Sequence, residues 1–153
     1  MANTYTQLNI HTVFSVKGRE NIIPGKQREE LYKYIKGILS NIKQYSLAVN
    51  GYGDHIHMFF EMHPTLSLSD IVKSVKANSS RWINEKRIVK GNFAWQEGYG
   101  AFSYSRTQRD PVINYIMNQE EHHKTKTFRE EYIELLNKFQ IKFDGNYIFE
   151  FYE

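Results

Sequence analysis

The stretch YSLAVNGYGDHIHMFFEMH, residues 45–63, holds two apolar runs separated by the turn-forming pairs Asn50-Gly51 and Gly53-Asp54. Either pair suits the tight turn of a β-hairpin, so two antiparallel strands joined at one of them are expected. Before the hairpin, residues 4–16 mix alternation with β-branched and aromatic side chains and read as a strand. A loop bearing Gly18, Pro24 and Gly25 follows. Leu31, Tyr34, Ile35, Ile38, Leu39 and Ile42 recur at three- and four-residue steps, which predicts a helix over residues 26–43. After the hairpin, Ser67 or Ser69 can cap a helix over about residues 70–85, with Ile71, Val72, Val75 and Ile83 as its stripe.

Further on, KGNFAWQEGYGAFSYS predicts a short strand or two. Asp110 as N-cap with Pro111 at the first helical position opens a helix through PVINYIMNQEEHH. Another helix follows Thr127, and the closing YIFEFYE suits a final strand or an extended tail. The order β-α-β-β-α-β-α predicts an α+β fold, an antiparallel sheet with helices packed mainly on one face. At 153 residues the chain is expected to form one domain over residues 1–153, with about residues 140–153 a tail of no assigned role. No apolar run approaches the ~18 residues that span a bilayer, and the first residues lack the basic flank and apolar block of a secretory signal. With no cysteine there is no disulfide framework and no thiolate metal site. The cytoplasm is the expected compartment. A net charge of +3 favours nucleic acid without requiring it.

Three places could carry chemistry. His55 and His57 are two apart on a strand, so they project from one face while Ile56 points the other way. Two neighbouring imidazoles on a rigid strand are arranged for one metal ion, but they are also compatible with hydrogen-bonded core histidines, and a closed site needs a third ligand. In PVINYIMNQEEHH, Tyr115 and Gln119 stack on one helical face beside the apolar Val112, Ile113, Ile116 and Met117, with Asn118 and His122 at related spacings. Lys73, Lys76, Arg81, Lys86, Arg87 and Lys90 crowd one helix and its exit, followed by Trp82, Phe93, Trp95, Tyr99, Phe102 and Tyr104. Cations hold phosphates and aromatic faces stack unpaired bases. The same residues equally suit a solvated helix face followed by core aromatics.

In combination and order these blocks resemble the IS200/IS605-family transposases, the single-tyrosine members of the HUH endonucleases (histidine, hydrophobic residue, histidine). GDHIHMFF matches the family's strand motif; HTVFSVKGRENII, KANSSRWINE, WQEGYGAFSYS and YIMNQEEHHKTKTFREEY are similar to its other blocks, so that the likeness runs over about residues 5–136. The resemblance implies a ferredoxin-like HUH fold with Tyr115 as nucleophile and His55, His57 and Gln119 as ligands of a divalent ion, Mg²⁺ or Mn²⁺. Asp54 and His123 are expected to support that site. The implied activity is cleavage and rejoining of single-stranded DNA at hairpin-bearing element ends through a 5′-phosphotyrosine. Homodimers are implied too, in which the tyrosine helix can complete the partner's site through a flexible stretch over residues 91–107.

Tyrosine suits reversible cleavage because its phenol, with a pKa of ~10, leaves more readily than an alcohol when a 3′-OH attacks the phosphotyrosine. No general base stands out in the sequence. Lys73, Lys76, Arg81 and Arg87 are the candidate DNA-binding residues. The competing functions are a hydrolytic metallonuclease, a non-catalytic nucleic-acid-binding module, and a domesticated relative acting on chromosomal repeat hairpins.

Overall fold

The computed structural model describes residues 3–17 and 22–145. The segment YIFEFYE and the loop residues 18–21 lie outside them. Strands β1 (Asn9–Ser15), β2 (Tyr45–Tyr52), β3 (His55–Glu61) and β4 (Gly100–Tyr104) form one antiparallel sheet in the order β2-β3-β1-β4. Helix α1 (Gly25–Asn41) links β1 to β2, and α2 (Leu68–Glu85) links β3 to β4. Helices α3 (Arg109–Met117), α4 (Gln119–His122) and α5 (Phe128–Lys138) complete the order. The α+β class and the antiparallel sheet are those predicted.

The hairpin turns at Gly53 and Asp54, not at Asn50 and Gly51. Asn50 and Gly51 are strand residues opposite His57 and Ile56, and a Cβ at Gly51 would overlap the carbonyl oxygen of His55. Glycine here serves close strand approach. The first strand is shorter than predicted, because residues 4–8 join the ladder only where the Met62 N–H donates to the Leu8 carbonyl at 2.7 Å. Helix α2 starts as predicted, with Ser67 accepting from the Asp70 N–H at 3.1 Å.

Alternation along the strands sorts the side chains into two layers. Phe14, Ile56, Met58 and Phe60 pack with Leu31, Ile35 and Leu39 of α1 and Ile71, Val75 and Ile83 of α2 in the main core. Both long helices thus share one face. The other face carries His11, Val13, His55, His57, Phe59 and Phe102, with enough apolar surface to need its own cover. Helix α5 supplies it over Val13 and Phe102 through Phe128, Tyr132, Leu135 and Leu136; α3 does so over Ala48 and Phe59 through Val112 and Ile116. The histidines are therefore sealed between sheet and helices. Their depth depends on the tight β2–β3 pairing, so Gly51→Ala should lower unfolding stability by about 2–3 kcal/mol in urea titrations, through backbone overpacking next to His55.

Candidate active site

His55 and His57 project together from β3, both fully buried, while Ile56 enters the main core. Each ring is held from behind. Asp54 Oδ1 lies 2.7 Å from His55 Nδ1, and His11 Nε2 lies 2.7 Å from His57 Nδ1. The Nε2 atoms of both rings face a carboxylate absent from every sequence-based expectation, that of Glu131 on α5, at 3.5 and 3.0 Å.

Glu131 is 1% exposed. It occupies the stripe of α5 with Phe128, Tyr132, Leu135 and Leu136, so the turn that buries those residues drives the acid inward. An unpaired carboxylate there would cost several kcal/mol. Donors surround it: His57 Nε2 at 3.0 Å and His123 Nε2 at 3.2 Å on Oε1, Gln119 Nε2 at 3.0 Å and the Tyr115 hydroxyl on Oε2. Burial pushes the Glu131 carboxyl up, but His57, His123 and His55 together outweigh it and hold the group well below the usual carboxylate range. Burial, and then Glu131, push the Tyr115 phenol far above its ordinary value, so it rests protonated as a donor. Burial also lowers His57, partly offset by Glu131; for His123 the Glu131 contact outweighs burial and raises it.

Helix α3 is pinned at both ends. Arg109 donates to Asn9 Oδ1 at 2.8 Å and to Glu61 Oε1 at 2.6 Å, and Asn50 Nδ2 donates to the carbonyls of Ile116 and Met117 at 3.0 and 3.1 Å. Asp110 is not the N-cap. A 3₁₀ turn over Arg106–Gln108, boxed by Ser105 and Gln108, runs directly into α3, whose N-cap is Gln108, and Pro111 sits third in its first turn, where it still lacks no partner. Nor is the predicted helix continuous: it breaks at Asn118, where Asn50 takes up the last carbonyls. Tyr115 and Gln119 nevertheless meet on one Glu131 oxygen.

His55, His57 and Glu131 offer three ligand atoms within 4.8 Å of one another. Gln119 Oε1 is 3.0 Å from His55 Nε2, close enough to add an amide oxygen. Two imidazoles with carboxylate and amide oxygens form a mixed donor set that fits a hard or borderline divalent ion. An acid thus joins the ligand set expected as His55, His57 and Gln119. Beside Tyr115 a cleft of about 270 Å³ opens between Tyr104, Pro111, Glu131 and Lys138.

The basic candidates stand apart from this cluster. Lys73, Lys76, Arg81 and Arg87 belong to α2 and its exit, across the sheet from the histidines. Lys76 Nζ donates to the carbonyls of Gln96 and Gly98 at 2.9 and 2.5 Å, clamping the loop before β4; Lys73, Arg81 and Arg87 are exposed. Three of the aromatics after α2 are core: Phe93, Trp95 and Phe102 are buried, and Trp95 Nε1 donates to Ser79 at 2.9 Å. Tyr99 and Tyr104 are half-buried. Among the described residues no helix is long and apolar enough to cross a membrane.

The family described as Transposase IS200 like matches residues 4–119. The ISDra2 transposase TnpA of Deinococcus radiodurans is 24% identical over 118 residues, spanning 74% of this chain and 84% of that protein. A crystal structure of a candidate transposase from Deinococcus radiodurans R1 superposes with a TM-score of 0.60 at 20% identity, over 78% of this chain and 95% of that one. A REP-associated tyrosine transposase bound to a REP hairpin gives 0.59 at 13% identity, over 80% and 73%. Glu131 lies beyond the family match.

The buried cluster makes stability depend on pH. In chelator-treated protein, His11 and His57, both lowered by burial, contribute fully above the unfolded histidine value of ~6.5 and lose that contribution as pH falls below it. The depressed Glu131 carboxyl contributes above the unfolded value of ~4.3 and loses it on further acidification. His123, raised, acts oppositely, with its contribution lost as pH rises through its folded value. The melting temperature should therefore fall in two arms between about pH 7 and pH 3, and Glu131→Gln should flatten the lower arm.

Proposed function

The chain belongs to the IS200-like transposase family, and from that premise we propose that it cleaves and rejoins single-stranded DNA with Tyr115 as nucleophile. One observation carries this: the Tyr115 hydroxyl shares the Glu131 carboxylate with His57 and Gln119, so the candidate nucleophile and the candidate metal ligands converge on one buried point.

Tyr115 Oη attacks the phosphorus of a phosphodiester entering through the cleft beside it. A bond forms between Oη and phosphorus and the bond from phosphorus to O3′ breaks, leaving the phosphate on the 5′ end of one fragment as a phosphotyrosine and a 3′-OH on the other. Glu131 Oε2 accepts the phenolic hydrogen bond and so aims Oη, the phenolic proton passes to water in the cleft, and O3′ takes up a proton as it departs. Rejoining is the reverse, with a 3′-OH as nucleophile and the phenol as leaving group. His55, His57, Glu131 and Gln119 would hold Mg²⁺ or Mn²⁺, which supplies polarisation of the phosphate and neutralisation of its oxygens. Arg109 and Asn50 keep α3 seated so that Tyr115 stays aimed at the histidines of its own chain.

Single-stranded DNA is the fitting substrate, since a tyrosine buried against a helix pair cannot reach into stacked duplex. By likeness to the hairpin-bound neighbour, the element end folds as a hairpin. The exposed Lys73, Arg81 and Arg87, across the sheet from Tyr115, would meet phosphates of the stem rather than the scissile one. Residues 1–153 work as one domain, in the cytoplasm where the DNA is, and a homodimer brings two ends together.

Incubation with single-stranded DNA from the element's own ends and Mn²⁺ should yield a protein–DNA band that survives SDS. Tyr115→Phe and EDTA should each abolish it, and His57→Ala should lower its yield at least 100-fold. Cleavage persisting in Tyr115→Phe would instead assign water as the nucleophile.

A further inference from the structure

His57 has a different partner on each ring nitrogen. Its Nε2 faces Glu131 at 3.0 Å and its Nδ1 faces His11 Nε2 at 2.7 Å. His11 is fully buried on β1, with its ring inclined 21° to that of His57 and centroids 5.0 Å apart. Its remaining nitrogen, Nδ1, has no hydrogen-bond partner among the described residues. Leaving a buried polar atom unpaired is unfavourable, and the chemistry derived above makes no use of His11.

An imidazole holds a cation through Nε2 only when its proton is on Nδ1. For His57 that proton points at His11 Nε2, which must then accept it and carry its own proton on Nδ1. When His57 Nε2 instead donates to Glu131, His57 Nδ1 is bare and His11 Nε2 becomes the donor. A neutral imidazole at position 11 can play both parts. A carboxylate could only accept, as Asp54 does behind His55, and a lysine could only donate. The unpaired Nδ1 lets the His11 proton sit on either nitrogen without breaking another bond.

We propose that His11 is a positioning residue for the metal site: through Nε2 it fixes the tautomer and orientation of His57 and so sets the affinity of the site for a divalent cation. This rests on the assignment of His55 and His57 as metal ligands. Such partners of ligating histidines typically govern affinity by 10–100-fold.

The test is calorimetric titration of Mn²⁺ into full-length wild type, His11→Phe and His11→Gln, with thermal melts as the folding control. Phenylalanine fills the ring's place beside Phe102 and Tyr104 without a polar atom; glutamine restores a group that can accept or donate. His11→Phe should bind at least 10-fold more weakly with its fold intact, and His11→Gln should return to within about threefold of wild type. Long-range ¹H–¹⁵N spectra of the wild type loaded with diamagnetic Zn²⁺ should show His57 and His11 both protonated on Nδ1. Wild-type affinity in His11→Phe, failure of a folded His11→Gln to recover, or a loaded His57 without its Nδ1 proton would each overturn the proposal. If His11→Phe does not fold, His11→Gln and the wild-type spectra decide. Should wild type itself bind no Mn²⁺, the metal assignment falls and His11 with it; binding that ignores the His11 changes removes His11 alone.

Discussion

A carboxylate taken out of water has to be met by donors on every side, and Glu131 is where β3, α3, α4 and α5 are brought together to do so. Each partner would be poorly placed without it. Tyr115 and His57 would lose their common acceptor, and Gln119, fully buried, would keep one end of its amide unpaired. Because breaking a buried charged network by removing one member costs more than the network contributes net, the arrangement behaves as a unit. An arrangement of this kind holds the candidate nucleophile and the candidate ligands in register in advance.

The sheet makes this possible by being buried on both faces. Its first face supports an ordinary core under α1 and α2, which carries the folding energetics. The second face is divided between two smaller apolar patches, under α5 and α3, with the histidines in the seam between them. Val112 and Ile116 seat α3 on Ala48 and Phe59, and polar clips fix its two ends: Arg109 at its start and Asn50 at its end. A helix held in this way is precise in position, which suits an element that carries the candidate nucleophile. The basic rim of α2, separated from the seam by the sheet, belongs to another surface of the molecule.

Much of the fold was legible because it follows from local periodicity. The hairpin, the two long amphipathic helices, the cap at Ser67 and the helix after Thr127 are set by neighbours in the chain, and they stand where local pattern places them. Boundaries were less legible where competing local signals coexist. Asn50-Gly51 has the composition of a turn yet is strand, because Gly53-Asp54 makes the turn and the glycine is needed for close approach. Asp110-Pro111 has the form of a helix start, yet Ser105 and Gln108 begin the turn earlier. Phe93 and Trp95 could serve a surface or a core by composition alone, and packing of Trp95 against Phe14 and of Phe93 against Trp95 decided for the core.

The sequence by itself determined that His55 and His57 share a face and that Tyr115 and Gln119 share another, since strand and helix periods dictate as much. Glu131, an acid on the apolar stripe of α5, and His11, a polar residue in a buried strand, drew no expectation from the sequence, and neither placement says what the residue meets. Only the tertiary structure decided that these faces look at one another and that an acid from beyond the family's matched residues closes the gap between them. The physical reason is that hydrogen bonds to Glu131 from positions 57, 115 and 119 are non-local: their geometry comes from how helices dock on a sheet, and no periodicity within one segment encodes it.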